Sequence, residues 1–226
     1  MMREVLVLCE GVTEREFCRS VIGPYLSAKG ILLSGTLQGT PQRKRGGVRS
    51  WPSYRNEILR LASEHAARHV AVLVDYYGLP STWPGRAGAT SQRPENRGAL
   101  VEDALWKDLE LEIGTRFHPC VQLHEYESLL FVDPELSALS LAIGGGSMSY
   151  DVLASNLSRI KSRCGGLVEG INDSPENAPS KRLLKLIPGY DKVAWGVTAA
   201  ADVEVPALRE GCPWLNRWLS RLEAAA

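Results

Sequence analysis

The chain has 226 residues, 44% of them hydrophobic and 23% charged, with 26 basic residues balanced by 26 acidic ones. This length and apolar content support a sizeable core in one large domain or one domain with an appendage, and they exclude a disordered or collagen-like chain. A formal net charge of zero excludes attraction to nucleic acid by overall charge, so any such binding requires a local basic patch.

Residues 4–9 are almost continuously apolar, which predicts a buried strand. It ends abruptly at Glu10-Gly11. Thr13 then predicts an N-cap, with Glu16 completing a capping box, for a helix that bends at Pro24 and stops near Gly30. Ile31 to Leu37 is a second strand. Residues 42–49, Gln-Arg-Lys-Arg-Gly-Gly-Val-Arg, form a basic, glycine-rich loop. Pro52 opens a helix with an apolar stripe of Ile58, Leu59, Leu61 and Ala62 that runs to about Arg68. Val70 to Val74 is a third strand and ends in Asp75. Residues 76–97, rich in Gly, Pro and Ser, read as a long loop.

Val101, Leu105, Leu109 and Ile113 fall on one face of a helix predicted over 100–113. Phe117 to Leu123 is a fourth strand. Strands alternating with helices imply a mostly parallel four-stranded sheet with helices on its faces, an α/β fold. Beyond Phe131 no strand is expected, and helices are predicted over 152–164, 179–186 and 213–223. The expected organisation is an α/β domain over 1–132 and a helical elaboration over 133–226 packed on it. Trp214 and Trp218, four apart, predict core packing.

Five cysteines, Cys9, Cys18, Cys120, Cys164 and Cys212, contain no C-x-x-C pair, so reduced thiols filling small core spaces are expected. The first apolar run is too short for a signal peptide and follows Glu4. No run approaches membrane-spanning length, so the expectation is a cytoplasmic protein with no membrane partner.

Three of the four predicted strands end in acids: Glu10 with Glu14 four residues on, Asp75, and Glu125 with Glu127. Ligands of open α/β sheets bind at the carboxyl ends of the strands. Hard cations such as Mg²⁺ take oxygen ligands and keep waters, so a few carboxylates there suit a metal-dependent phosphoryl-transfer site. By position alone, Glu10 is equally a turn glutamate exposed to solvent. Glu14 lies where the helix dipole favours an acid anyway. His124-Glu125-x-Glu127 is not a zinc signature, because position 128 is Ser. Arg43, Lys44, Arg45 and Arg49 form the one dense basic run, either a track for phosphates or a solvated loop.

The pattern Glu10-Gly-x-Thr-Glu14 with Asp75 after a later strand resembles the Toprim fold of topoisomerases, primases and nucleases of the OLD (overcoming lysogenisation defect) family. Residues 47–50, 75–80, 122–131, 171–182 and 188–192 resemble, more narrowly, a bacterial Toprim-like family often encoded beside an ABC-type ATPase. The resemblance implies a Mg²⁺- or Mn²⁺-dependent nuclease acting on DNA or RNA, gated by that ATPase in phage defence. Glu10 is then acid/base or metal ligand, and Glu14 a ligand or its support. Asp75 and one of Glu125 or Glu127 hold metal. Lys181 contacts the phosphate, and Arg182 joins Arg43, Lys44, Arg45 and Arg49 in binding nucleic acid. The broader pattern has Asp-x-Asp where this chain has Asp75-Tyr76-Tyr77, which removes one expected ligand. Two further readings follow: a non-catalytic interaction subunit, and a metal-dependent enzyme acting on small phosphoesters. The oligomeric state is not legible in the sequence.

Overall fold

The structure is a computed structural model, and it describes residues 2–39, 46–123, 125–144, 148–166, 168, 171 and 177–225. The chain forms two compact units, Met1–Leu123 with Arg217–Ala226, and His124–Asn216. The sequence reading divides the chain at 132/133. The packed units divide at 123/124, and the end of the chain returns to the first unit.

The first unit is built on a four-stranded sheet of β1 (Arg3–Cys9), β2 (Ile31–Leu37), β3 (His69–Asp75) and β4 (Phe117–Gln122), in the order β2-β1-β3-β4. Every pairing is parallel. The α/β architecture is therefore as the alternating pattern predicts, with the strands within a residue or two of expectation. Val5, Val7, Ala71 and Leu73 are as buried as Leu8, Val70, Val72 and Val74, so both faces of the sheet are covered. This is why the strands read as unbroken apolar runs.

One face is covered by α3 (Trp51–Glu64) and α5 (Pro94–Ile113), which pack Tyr54, Ile58, Leu61, Val101, Leu105 and Leu109 into a core with Leu8, Val70, Val72 and Val74. The predicted stripe Val101, Leu105, Leu109, Ile113 is buried in full. The end of α5 nearest its start lies so close to β4 that only glycine fits at Gly98: a Cβ there would overlap the Val121 carbonyl oxygen.

Between β1 and β2 a helical run joins α1 (Val12–Phe17), a π-helical turn (Cys18–Ile22) and α2 (Gly23–Ser27). The predicted Thr13 cap is not formed. The Gly11 carbonyl accepts from Arg15 N–H at 3.2 Å, so the first turn closes early and Thr13 lies inside it. Glu16 pairs with Arg15 and Arg19 rather than with the cap. The π turn immediately precedes Pro24, which has no N–H to give to an α-helical ladder. The expected loop 76–97 is also more ordered than its composition suggests. It contains a 3₁₀ turn (Tyr76–Gly78) and α4 (Arg86–Ala89), and α5 begins at Pro94, where proline suits the first turn of a helix.

The second unit is helical: a 3₁₀ turn (Tyr126–Phe131), α6 (Pro134–Ile143), α7 (Tyr150–Arg163), α8 (Pro179–Leu186), α9 (Val197–Val203), α10 (Val205–Gly211) and the start of α11 (Pro213–Ala224). Asp133 caps α6 by accepting from Glu135 and Leu136 N–H. Trp214 and Trp218 are buried as predicted. All five cysteines are unpaired thiols. Among the described residues, no helix is long and apolar enough to cross a membrane.

Candidate functional site

The strand order reverses direction between β1 and β3. The chain leaves β1 toward β2 on one side and returns to β3 on the other. In an open parallel sheet the helices diverge at such a point and leave a crevice outside the carboxyl ends of the two strands. Glu10 is the first residue beyond β1 and Asp75 the last residue of β3.

Glu10 N–H donates to the Leu73 carbonyl at 3.0 Å, which continues the sheet ladder by one residue. Its side chain then turns across β3, where Oε2 accepts the Asp75 N–H at 2.9 Å. Two glycine segments close over Glu10, one at its carboxylate and one at its main-chain carbonyl. A Cβ on Gly78 would come within 3.2 Å of Glu10 Oε1, and one on Gly46 within 3.2 Å of the Glu10 carbonyl oxygen. Gly47, at φ 96°, donates its N–H to that carbonyl at 2.7 Å. A positive φ of this size favours glycine at Gly47, while at Gly46 it is the close approach to the carbonyl that does so.

Asp75 is set by its neighbour in the sheet. The β3–β4 register pairs it with Gln122, whose amide Nε2 donates to Asp75 Oδ1. Gln122 is almost wholly buried. Glu14 is also buried, in the first turn of α1, and its carboxylate lies against Gly11, where a Cβ would stand 2.9 Å from Oε2. The negative charge gathered here acts on two neighbours. The Tyr54 hydroxyl is pushed well above its usual range, first by burial and then by the Glu10 carboxylate, with Cys9 and Glu14 adding to it and Arg49 opposing. The Cys9 thiol is pushed up by burial, then by Cys18, whose Sγ lies 4.0 Å away, and then by Glu14. The Tyr54 hydroxyl is fully buried and has no hydrogen-bond partner among the described residues.

The other predicted site residues fall as follows. Arg49 is exposed, and its carbonyl accepts the Trp83 indole N–H at 2.8 Å. Arg43, Lys44, Arg45 and His124 lie outside the described residues. Glu125, Glu127, Lys181 and Arg182 belong to the second unit. Glu125 Oε2 accepts from Ser180 N–H at 3.0 Å, so it satisfies an otherwise open donor at the start of α8. Glu127 is buried against Lys192 at 2.9 Å, and burial holds its carboxyl above the usual range despite that lysine. Lys181 is exposed on α8, and Arg182 Nε donates to the Asn177 carbonyl at 2.8 Å.

Among the described residues, no group of three or more His, Cys, Asp or Glu side chains gathers as a metal cluster. Mg²⁺ needs fewer, since one or two carboxylates, waters and substrate phosphates complete its octahedron. Glu10 and Asp75 are oxygen donors of that kind on adjacent strand ends, so these two carboxylates fit a hard cation. Sequence reasoning missed Gln122 and Tyr54. Gln122 becomes visible only from the strand register, and Tyr54 carried no signal beyond its place on an apolar helix face.

A family model described as a domain of unknown function (DUF4276) matches residues 9–223. The chain belongs to the DUF4276 family. The match begins at Cys9, one residue before Glu10, and ends within α11, so the DUF4276 region takes in both units and every candidate residue above. No curated protein and no solved structure matches the chain.

Proposed function

We propose that the crevice between the ends of β1 and β3 is a metal-dependent phosphoryl-transfer site that cuts phosphodiester bonds in nucleic acid. The observation that carries this reading is the hydrogen bond from Asp75 N–H to Glu10 Oε2, which locks two carboxylate-bearing strand ends together at the switch point of the sheet. The resemblance of Glu10-Gly-Val-Thr-Glu14 and Asp75 to the Toprim pattern supports it independently.

Glu10 and Asp75 would hold Mg²⁺ or Mn²⁺, which when bound supplies Lewis-acid polarisation of a phosphate oxygen and an acidified water. Gln122 fixes the orientation of the Asp75 carboxylate through its amide. Glu14 adds negative charge behind the turn. The Tyr54 hydroxyl, buried on α3, has no hydrogen-bond partner among the described residues and feels the Glu10 carboxylate. Glu125 and Glu127 already serve the start of α8 and Lys192, so the reading rests on the first unit. Lys181 belongs to the second unit, so the phosphate contacts this reading keeps are Arg49 and the basic run that precedes it in the sequence. Gating by an ABC-type ATPase, a role in phage defence and a cytoplasmic setting rest on the resemblance. One observation favours a second reading, a non-catalytic interaction subunit: Tyr77 stands where the broader pattern has a second acid.

The test is metal binding followed by cleavage. Mn²⁺ or Mg²⁺ at about 100 times its Kd should stabilise the native chain by about 2.7 kcal/mol. Glu10→Gln or Asp75→Asn should remove most of that gain together with cleavage of plasmid and single-stranded substrates. An unchanged melting temperature in millimolar Mn²⁺, with no cleavage, favours the interaction subunit. Cleavage confined to a small phosphoester would exclude nucleic acid as the substrate.

A further inference from the structure

The turn that follows Asp75 carries an exposed aromatic ring, and two guanidinium groups from α4 and α5 are bonded to it. Tyr76 is buried, whereas Tyr77 is 46% exposed and meets Tyr76 edge-on at 5.3 Å. Gly78 is the residue that abuts the Glu10 carboxylate, so Tyr77 lies in the chain between the two acids' contact points.

Arg97, in the first turns of α5, is held by three bonds: Nε to the Gln92 carbonyl at 3.0 Å, Nη1 to the Tyr77 hydroxyl at 3.2 Å and Nη2 to the Thr90 carbonyl at 3.2 Å. Arg86, on α4, donates Nε to the Tyr76 carbonyl at 3.1 Å and Nη1 to the Tyr76 hydroxyl at 2.9 Å and to Thr90 Oγ1 at 3.0 Å, with its guanidinium 3.9 Å from the Tyr76 ring centre. Among the described residues the acceptors of both arginines are carbonyls and hydroxyls, not carboxylates. Each guanidinium carries five N–H donors, so two remain open on each. These are cations fixed in direction by neutral acceptors, with charge and donors left over. That arrangement matches phosphate, which Arg binds in a fork.

We propose that Tyr77, Arg97 and Arg86 form the substrate-recognition wall of the crevice, and that the ligand is single-stranded nucleic acid with an unpaired base stacked on Tyr77 and adjacent phosphates on the two arginines. The proposal rests on the phosphodiester reading above and narrows its substrate. An exposed ring accepts any base that offers a free face, which a base inside a duplex does not. A chain of zero net charge with two open guanidiniums also suits a short strand better than the broad phosphate lattice of a duplex.

The experiment is fluorescence anisotropy of a labelled oligonucleotide of about 12 nucleotides, within the span of known single-strand sites. It uses the full chain in EDTA, so that binding is read without cleavage. Tyr77→Ala should weaken binding by about 5- to 150-fold, the range of one base–aromatic stack, and Tyr77→Phe should recover most of the loss. Arg97→Gln should lower the magnitude of the salt slope by about 0.7 per phosphate contact removed. Tyr150→Ala, another partly exposed tyrosine, should leave affinity unchanged. The proposal is overturned if Tyr77→Ala binds as wild type does, if the matching duplex binds as tightly as the single strand, or if wild type does not bind. Binding that follows Tyr77 without metal-dependent cleavage would uphold the recognition wall and refute the catalytic reading, so the two fail separately.

Discussion

Acidification should destabilise the first unit through one stacked imidazole pair, buried at His118 and half-buried at His69. His69 Nδ1 and His118 Nε2 stand 2.8 Å apart, with the rings stacked at 5.1 Å and 8°. One N–H fills the gap between the two nitrogens, and a proton added to the other nitrogen would set two N–H donors against each other. Burial, followed by His69, Arg221 and Arg3, lowers the His118 pKa from 6.5 to about 3. Burial, then Arg3 and Arg116, lowers that of His69. The unfolded chain therefore binds more protons than the folded one between pH 6.5 and 3. Stability is complete above the unfolded value and falls as pH drops through that window. For His118 alone the full loss is about 5 kcal/mol, and about 2 kcal/mol of it is spent by pH 5, before most carboxylates titrate. Because Trp218 donates its indole N–H to the His118 carbonyl at 3.3 Å, tryptophan fluorescence should report the event. Urea unfolding at pH 7.5, 6.5, 5.5 and 5.0 would measure it. His118→Gln keeps a polar partner for His69 but cannot take the proton, so its stability should fall much less steeply. Parallel slopes for wild type and His118→Gln would refute the reasoning.

Two further predictions concern packing and charge. Lys192→Met should destabilise the second unit by about 3 kcal/mol near neutral pH, because it strands the buried Glu127 carboxylate, and adding Glu127→Gln should restore most of the loss in denaturant unfolding. Gly98→Ala gains about 1 kcal/mol of helix propensity, yet its Cβ must displace the Val121 carbonyl. Overpacking costs of about 1–3 kcal/mol or more should win, and an increase in melting temperature would contradict the close α5–β4 packing.

Much of the frame was legible in the residues. The four strands appear where continuous apolar runs demand burial on both sides, and the Val101, Leu105, Leu109, Ile113 stripe faces the sheet because 3.6-residue periodicity leaves it no other side. The helix at 134–143 was missed although its signals were present: Asp133 as cap, Pro134 in the first turn and Glu135 after it. Residues 94–97 read as loop because Gly and Pro dominate their surroundings, and composition cannot tell a proline that ends a helix from one that begins it.

By itself the sequence determined which segments become strands, that the sheet is parallel, and that Glu10 and Asp75 stand at strand ends, because these follow from local periodicity and from the acid that halts each apolar run. Only the tertiary structure decided what those acids meet. The order β2-β1-β3-β4 makes β1 and β3 neighbours, so that Glu10 accepts the Asp75 N–H, and the β3–β4 register brings Gln122 to the Asp75 carboxylate. Tyr54 comes under the charge of Glu10, Arg86 is held by Tyr76 and Arg97 by Tyr77, while Glu127 is claimed by Lys192. Such partnerships join residues far apart in the chain, and pairing across a sheet or a core is set by register and packing, which leave no trace in the spacing of residues along one segment.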